Sequence, residues 1–566
     1  MRPHDAEVRS SLGPLVTMRT IRSLPISLAT AIVVALGACG GSSGTSGASD
    51  GGAGGDSTSS SSSGGSSGGG SGGGTGTDGG SGAGASVLQM HNHPNRDGLF
   101  VDKAITRAAA AGFHRVASFS GATAGNVYAS PLYVESGAGG KGTFYLATES
   151  DVVYALDEAT GAEVWHTKVA AAPDNTGAGC GNISPIGITG TPAIDLSTRL
   201  LVFDAAVASA SNTIGTHVVF ALSIDDGSVK WQVDESTLHD PGGLAFTPKT
   251  QNQRSAILIV GGVAYVAFGG HYGDCGTYHG WVVGVPLSGT GAKAWATQVA
   301  GAGIWAPGGP ASDGQSVFVV TGNGFGSATS WAESEGVLRL DPGPSFTRQT
   351  ADYFAPENWA SLDQGDTDLS GSGPLVVDAP ALTPSALVMA QGKDGYLYLL
   401  DRDNLGGVAS GAQLANVGAL HVQSGEFTNA GAFATVSGTT YVVVRPNGTD
   451  AALGCPAGTS GDLAAVKLDP AAPQKMTVAW CAQSGGVGSP SITTSDGTRD
   501  ALVWVFQADR GTGASLLAYD LATGAPVFTG GASSDHAGPV RRFTTPIAVH
   551  GRIYVGGDDR LYAFGP

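Results

Sequence analysis

Residues 269–281, G-G-H-Y-G-D-C-G-T-Y-H-G-W, form a short segment in which side chains capable of metal binding lie close together. Imidazole nitrogens and carboxylates are common ligands of transition metals, so His271, Asp274 and His279 are candidate ligands. Their spacing fits no familiar metal-binding motif, and Cys275 offers another explanation, a loop held by a disulfide. The pattern therefore favours a pinned loop between two strands over a metal site.

The cysteines predict disulfides and argue against two kinds of metal centre. Four cysteines follow Cys39, and an even number in an exported chain indicates two disulfides. The pairing that joins cysteines in neighbouring stretches of sequence is Cys180–Cys275 and Cys455–Cys481. No C-x-x-C pair occurs, which excludes a C-x-x-C-H haem site and a zinc site built from cysteine pairs.

Charge and missing motifs exclude other functions. The formal net charge of −18 argues against a nucleic-acid partner, because phosphate binding needs a basic surface. No G-x-S-x-G motif stands on a predicted strand-to-helix turn, as a serine hydrolase would require. The glycine runs also lack the helix and lysine of a phosphate-binding loop.

The first 39 residues have the layout of a secretory signal. Arg19 and Arg22 precede an apolar run that ends at Leu36, and small residues lead to Cys39. Leu-Gly-Ala-Cys at the end of this run resembles a lipobox, in which the cysteine thiol is acylated and becomes the mature N-terminus. An ordinary signal peptide and a single membrane anchor are the alternatives, although the apolar run is short for a membrane span.

The same region sets the predicted domain boundaries. Met18 is a candidate true start within the predicted lipoprotein signal peptide, residues 1–39. Two glycines follow the cysteine, with no Asp, which in Gram-negative sorting implies export to the outer membrane. Residues 40–86 are nearly all Gly, Ser, Thr and Asp and cannot bury apolar surface, so they are predicted to be a disordered tether. Residues 87–566 form the predicted folded domain.

The folded domain is built from repeats. A-L-D-E-A-T-G-A-E-V-W at 155–165 aligns with the segments at 221–231 and 518–528, and the segment that ends at Trp295 closes in the same way. In each repeat a glycine stands four residues before an aromatic residue, in the pairs Gly161 and Trp165, Gly227 and Trp231, Gly291 and Trp295, and Gly524 and Phe528. This pattern predicts a β-hairpin whose glycine accepts a positive φ and whose aromatic side chain packs between sheets.

Eight further segments are predicted to begin the innermost strand of each sheet. They recur at intervals of about 53–65 residues and start at Ser130, Gly190, Ser255, Gly308, Ser372, Ala430, Gly488 and Thr544. Alternating apolar segments such as T-F-Y-L-A-T and V-A-Y-V-A-F follow them. The repeats predict an all-β fold, an eight-bladed β-propeller with four strands per blade.

The last repeat is one strand short. An open edge would expose unpaired backbone groups, so H-R-V-A-S-F-S-G at 114–121 is predicted to supply the missing strand and close the ring. Residues 102–112 are predicted to form a short helix before it.

These repeats resemble those of the PQQ (pyrroloquinoline quinone) dehydrogenase-like propeller superfamily. Its members include alcohol and polyvinyl-alcohol dehydrogenases and also a propeller lipoprotein of outer-membrane assembly that has no cofactor. The D-x-x-T-G-x-x-x-W repeat is specific for the fold and says little about chemistry, because both branches share it.

The resemblance also implies roles for five residues. The segment G-I-W-A-P-G-G-P-A-S-D-G-Q-S-V-F-V-V-T-G-N-G is similar to the family segment that places Trp305 under the quinone and Asn323 on Ca²⁺. G-D-T-D-L-S-G-S-G-P resembles the W-D-x-D segment, with Asp366 as the base and Asp368 as a further metal ligand. G-K-D-G-Y-L-Y-L-L-D-R-D-N resembles the segment whose lysine, here Lys393, binds the quinone oxygens. PQQ and Ca²⁺ are therefore the implied cofactors.

Three departures from the family pattern weigh against an enzyme. Vicinal cysteines are absent, Gly365 replaces the Trp of W-D-x-D, and the Glu that binds Ca²⁺ has no convincing match. Taken singly, the five residues also have structural explanations, as turn residues, solvated carboxylates or packing between blades.

Two functions remain open on the sequence. The first is an exported lipoprotein, a monomer anchored to the outer membrane through Cys39, whose propeller channel binds a small molecule or a protein in the cell envelope. The alternative is a PQQ- and Ca²⁺-dependent dehydrogenase of alcohol-type substrates. Convergence of Trp305, Asn323, Asp366, Asp368 and Lys393 at the channel mouth would favour the enzyme.

Overall fold

The computed structural model describes residues 86–566 except residues 327–328, 411–414, 423–428, 446–452 and 512. The predicted signal peptide 1–39, with Met18 and Cys39, and all but the last residue of the tether 40–86 lie outside the described residues. Within the described part of the chain, no helix is long and apolar enough to cross a membrane.

Eight sheets follow one another along the chain, which confirms the predicted eight-bladed β-propeller. The elements before blade 1 are β1 (Leu99–Val101), α1 (Arg107–Ala110) and β2 (His114–Arg115). Blade 1 contains β3 (Leu132–Val134), β4 (Thr143–Ala147), β5 (Val152–Asp157) and β6 (Glu163–Lys168). Blade 2 contains β7 (Ala193–Asp195), β8 (Leu200–Ala208), β9 (Ile214–Ser223) and β10 (Val229–Asp234). Blade 3 contains β11 (Gln251–Asn252), β12 (Leu258–Val260), β13 (Val263–Gly270), β14 (Trp281–Pro286) and β15 (Lys293–Ala296).

The strands of the remaining blades are antiparallel neighbours, with one parallel strand added at the edge of blade 4 and one, β1, at the edge of blade 7. Blade 4 contains β16 (Ala311–Ser312), β17 (Val317–Val320), β18 (Val337–Leu340) and β19 (Tyr353–Ala355), and is followed by α2 (Trp359–Gly365). Blade 5 contains β20 (Leu375–Asp378), β21 (Ala386–Gln391) and β22 (Tyr396–Asp401); β23 (Gly407–Val408) then adds to blade 4, and β24 (Gly418–His421) completes blade 5. Blade 6 contains β25 (Ala432–Val436), β26 (Thr439–Val444), β27 (Leu463–Leu468) and β28 (Met476–Ala482). Blade 7 contains β29 (Ser491–Thr494), β30 (Leu502–Phe506), β31 (Leu516–Asp520) and β32 (Pro526–Phe528). Blade 8 contains β33 (Ile547–Val549), β34 (Arg552–Gly557) and β35 (Arg560–Gly565).

Short 3-10 turns join some of these strands. They lie at Ala138–Gly140, Glu235–Thr237, Pro248–Thr250, Thr350–Asp352, Leu369–Gly371 and Ser533–Asp535.

The N-terminal strand closes the ring as the sequence predicts. β2 pairs antiparallel with β35, so that His114 lies opposite Gly565 and Arg115 opposite Phe564. The predicted helix over 102–112 is much shorter, because only Arg107–Ala110 is helical and Thr106 caps it by accepting a hydrogen bond from the Ala109 N–H. Blade 8 is thus a four-stranded sheet made from both ends of the folded domain.

The repeat glycines and aromatics join one blade to the next. The Trp165 ring lies against Gly227 of the following blade, where an added Cβ would meet the ring at 2.6 Å. The Trp480 ring contacts Gly524 in the same way, also at 2.6 Å. The ring of Trp231, in blade 2, contacts Gly289 of blade 3 and not the repeat glycine Gly291. The β14–β15 connection holds six residues, against five between β5 and β6, so the glycine that receives the ring is shifted.

Residues 87–98 form a plug beside the inner strands of the channel. The repeat pattern of the sequence does not predict this plug. The backbone of this channel plug bonds to inner strands of blades 1, 2, 4, 5, 6 and 7, through Val87 with Tyr133, Leu88 with Ile194, Pro94 with Ser312, Asn95 with Val376, Asp97 with Phe433 and Gly98 with Ile492. Arg96 is fully buried and donates hydrogen bonds to the carbonyls of Met90, Ile257 and Pro310. The plug therefore ties blade 3 to the others as well.

Candidate functional site

A cavity of about 810 Å³ opens among the connections between blades and the turns after each second strand. It is lined by Tyr128, Asn182, Ile183, Arg254, Gly270, His271, Tyr272, Gly273, Asp274, Tyr278, Trp305, Asn323, Asp366, Asp368, Lys393, Asp509, Arg541, Arg542 and Phe543. All five residues to which the resemblance gave roles are among them. Their placement in one cavity agrees with the expectation for an enzyme, while the role of each residue stays a prediction.

Local folding explains why these side chains meet. Trp305 lies in the connection from blade 3 to blade 4, and Asn323 in the turn between β17 and β18. Asp366 ends α2 in the left-handed conformation, at φ 50°, and Lys393 stands in the turn between β21 and β22. Connections and second turns of neighbouring blades meet at the same end of the channel, because strands alternate in direction.

The half-buried ring of Trp305 is flanked by two cations. The guanidinium carbon of Arg254 lies 4.9 Å from the centre of the ring, and Lys393 Nζ lies 5.5 Å from it. Both distances fall in the range of cation–π attraction. Arg254 Nε is buried and has no hydrogen-bond partner among the described residues, and burial lowers the pKa of this guanidinium to about 10. An aromatic face and an incompletely paired cation therefore meet at one wall of the cavity.

Lys393 also holds the two predicted carboxylates together. Its Nζ lies 2.5 Å from Asp368 Oδ2 and 3.4 Å from Asp366 Oδ1. The other Asp368 oxygen accepts a hydrogen bond from the backbone N–H of Asn323 at 2.8 Å. The Asp366 side chain is 65% exposed and faces solvent in the cavity, whereas Asp368 is buried.

Glu335 lies behind Asp368 and was missed by the sequence reasoning. It is fully buried, and its Oε2 accepts a hydrogen bond from the Leu369 N–H at 2.6 Å. Burial raises its pKa well above the ordinary value, and the negative charge of Asp368 adds to this effect. Its Oε1 is buried without a hydrogen-bond partner among the described residues, and the side chain does not line the cavity.

The wall next to Trp305 and Arg254 comes from residues 269–281, and Arg254 Nη2 donates to the Gly270 carbonyl at 3.3 Å. Cys275 is bonded to Cys180, and the second disulfide joins Cys455 to Cys481, so both pairs are those that the sequence favoured. His271 is buried in this wall, and its pKa falls to about 3 because of burial and the nearby charges of His217 and Arg254. His271, Asp274 and His279 do not form a cluster of metal ligands in this loop, because His279 Nδ1 is hydrogen-bonded to the Thr297 carbonyl at 2.9 Å.

Tyr278 and Asp274 form a second pair in this wall. The Tyr278 hydroxyl donates to Asp274 Oδ1 at 2.7 Å. Burial raises the pKa of both groups. The charge of Asp274 raises the pKa of Tyr278 further, whereas the hydrogen bond from Tyr278 lowers the pKa of Asp274.

Two further arginines reach the cavity from the connection between blades 7 and 8. Arg541 bonds to Asp558 and lies over the Tyr128 ring, 5.6 Å from its centre, and Arg542 pairs with Asp509. Arg254, Arg541 and Arg542 all stand just before an inner-strand start. The signal that could have found them is a charged residue at this position of the repeat.

The described side chains fit a quinone ring better than a calcium ion. The cavity has the volume of an ordinary small-molecule site, and the partly exposed Trp305 ring with its cations suits a flat, anionic aromatic group. Ca²⁺ takes six to eight oxygen ligands, whereas both oxygens of Asp368 are already engaged. Calcium binding by Asn323 and Asp368 stays a prediction.

Comparison with known proteins agrees with the fold. A family model described as outer membrane protein assembly factor BamB matches residues 118–404, about half of the chain. No significant match is found among curated protein sequences.

Several solved structures share the propeller. Quinohemoprotein alcohol dehydrogenase from Comamonas testosteroni is 14% identical, with a TM-score of 0.58, over 85% of this chain and 80% of that one. Quinohemoprotein alcohol dehydrogenase ADHIIG from Pseudomonas putida HK5 is 13% identical, with a TM-score of 0.56 and the same coverage. A europium-containing methanol dehydrogenase is 13% identical, with a TM-score of 0.58, over 85% of this chain and 98% of that one. At these identities the likeness shows the fold alone.

Proposed function

The chain belongs to the PQQ-repeat propeller family described as outer membrane protein assembly factor BamB, and we propose that its channel cavity binds a planar, anionic aromatic molecule. The observation that supports this proposal is the Trp305 ring set beside Arg254 and Lys393 in a cavity of about 810 Å³. A flat ligand stacks on the indole, and its negative groups meet the guanidinium of Arg254 and the ammonium of Lys393, which both line the cavity. Pyrroloquinoline quinone, a flat tricarboxylate, is the first ligand to test.

The proposal includes the place of the protein in the cell. Cys39 carries the lipid anchor, residues 40–86 form the tether, and the propeller works as a monomer at the outer membrane. Fractionation of cells that express Cys39→Ser tests the anchor: the variant is expected in the soluble fraction, and retention in the membrane would contradict the proposal.

A second function is supported by the convergence of the five residues. If PQQ occupies the cavity, it supplies a two-electron acceptor for oxidation of an alcohol to an aldehyde. Asp366, exposed to the cavity and 3.4 Å from Lys393 Nζ, is the group that would accept the hydroxyl proton. Lys393 would hold this carboxylate in place, and Trp305 would orient the bound ring. Electrons would then leave to a separate acceptor.

Equilibrium dialysis of the purified full chain with PQQ tests binding. We expect saturable binding by the wild type and about fivefold weaker binding by Trp305→Ala, since a stacked aromatic face contributes on the order of 1 kcal/mol. Trp331→Ala is the matched control, because Trp331 stacks on Tyr353 and does not line the cavity. No saturable binding by the wild type, or equal binding by Trp305→Ala, would overturn the proposal.

Dye reduction with primary alcohols separates the two functions. An enzyme predicts PQQ-dependent reduction that Asp366→Asn abolishes while PQQ binding changes by no more than a few fold. Binding without turnover leaves the ligand-binding function and rejects the dehydrogenase.

A further inference from the structure

Three buried side chains of blade 2 form a second site, separate from the cavity. Asp204 lies on β8, His217 on β9, and Glu235 follows β10. Each offers a ligand atom, and these atoms lie within 4.8 Å of one another. All three residues are almost completely buried, with Glu235 0% exposed.

The hydrogen bonds of His217 direct one nitrogen into this cluster. Its Nε2 lies 3.1 Å from the Gln251 carbonyl oxygen, which can only accept, so the proton of a neutral ring belongs on Nε2. The lone pair of Nδ1 then faces Asp204 Oδ2 at 2.8 Å. A carbonyl that fixes the histidine tautomer in this way is the usual arrangement behind a metal-bound imidazole.

Unpaired oxygens complete the cluster. Asp204 Oδ1 and both carboxylate oxygens of Glu235 are buried without a hydrogen-bond donor among the described residues. Acceptors that face one another out of water need a shared proton or a cation.

We propose that Asp204, His217 and Glu235 bind a divalent transition-metal ion of the zinc class. One imidazole and two carboxylates are ligands that Zn²⁺ accepts, and their two negative charges balance the ion in a buried place. Zinc ligands lie about 2.0–2.2 Å from the ion, so binding needs a small rearrangement in which His217 Nδ1 and Asp204 Oδ2 separate from their present 2.8 Å and Glu235 closes in. The imidazole ligand disfavours Ca²⁺ and Mg²⁺, which prefer oxygen.

The surroundings make the site rigid and place it behind the cavity wall. Phe246 and Phe268 pack edge-on against the His217 ring, with centres 6.2 and 5.3 Å away. The Gln251 carbonyl that accepts from His217 Nε2 belongs to β11, and Gln251 lies opposite Gly270, which lines the cavity. The ion therefore holds the loops of blades 2 and 3 in register, and it does not depend on any ligand in the cavity.

Metal titration of the purified, chelator-treated full chain tests this inference. We expect one equivalent of Zn²⁺ to bind, Co²⁺ to give a visible absorption band, and the thermal midpoint to rise on Zn²⁺ addition. Glu235→Gln is expected to weaken Zn²⁺ binding at least tenfold and to lose the Co²⁺ band. Glu333→Gln is the control, because Glu333 is also buried but is paired with Arg348 in another blade.

The outcomes are distinct even where a variant is unstable. Absence of stoichiometric Zn²⁺ binding and of a Co²⁺ band in the wild type would overturn the proposal and leave a proton shared between two carboxyls. Equal Zn²⁺ binding by the wild type and Glu235→Gln would also overturn it. Should Glu235→Gln not fold, His217→Gln is titrated in its place and is expected to shift or remove the Co²⁺ band.

Discussion

Arg96 shows how a single charged residue can organise the centre of a propeller. Its guanidinium is completely buried and donates to three backbone carbonyls that belong to the plug and to the starts of blades 3 and 4. Burial lowers its pKa to about 9, which still leaves the group charged at neutral pH. Gln89 is its side-chain neighbour, at 3.4 Å. The cation is therefore stabilised by carbonyl dipoles in place of a carboxylate.

Replacing Arg96 is expected to loosen the plug. Arg96→Met keeps much of the apolar volume but leaves three buried carbonyls without donors, and the free energy of unfolding should fall by about 3 kcal/mol or more. Denaturant unfolding followed by tryptophan fluorescence measures the change.

Arg199→Met is the control for this prediction. Arg199 pairs with Asp225 at the surface, and such pairs contribute about 0–1 kcal/mol. If the two variants lost the same stability, the role assigned to Arg96 would be wrong.

Among the elements, the disulfide-bonded loop between β13 and β14 connects stability with the cavity. The Cys180–Cys275 bond joins this loop to the connection between blades 1 and 2, and His271, Asp274 and Tyr278 on the same loop line the cavity. The Cys455–Cys481 bond lies in blade 6, and neither of these cysteines lines the cavity. The two bonds therefore allow a comparison within one chain.

Removing the two disulfides separately should give different results. The pair Cys180→Ser and Cys275→Ser is expected to lower both the thermal midpoint and the affinity for PQQ, the latter several fold, because the cavity wall gains freedom. The pair Cys455→Ser and Cys481→Ser is expected to lower the thermal midpoint only. Calorimetry and dialysis measure the two quantities, and equal affinity in both double variants would argue against a functional role for the loop.

The elements also show what the sequence could predict. Hairpins such as 155–165 are local, so a glycine and an aromatic at fixed spacing predict them, and eight inner-strand starts predict the ring. The plug and the Asp204 cluster have no such signal, because their partners lie in different strands or blades. Five of the residues that line the cavity were found only through the family resemblance, namely Trp305, Asn323, Asp366, Asp368 and Lys393. Glu335 needed the packed structure.

At the scale of the whole molecule, buried carboxyls accumulate at the cavity end of the propeller. Glu149 is fully buried, and burial raises its pKa to about 7. Asp151 is raised to about 8 by burial and by the charges of Glu149 and Asp204. Glu335 is raised as well. By contrast, the exposed Asp226 has a pKa lowered to about 2 by its hydrogen bonds to Ser228 and finishes titrating before these groups begin.

These groups predict that the protein is more stable in mild acid. Between the unfolded pKa of about 4.5 and the folded pKa of about 7, folded Glu149 keeps a proton that the unfolded chain has lost, so stability falls as pH rises through this window and levels off above it. For Glu149 alone the loss amounts to about 3 kcal/mol. The net charge of −18 acts in the same direction, because self-repulsion grows as carboxyls ionise. Thermal midpoints in chelator at pH 5, 6.5 and 8 should therefore decrease in that order. Glu149→Gln should flatten the decrease, while an unchanged pH profile in that variant would show that Glu149 is not among its causes.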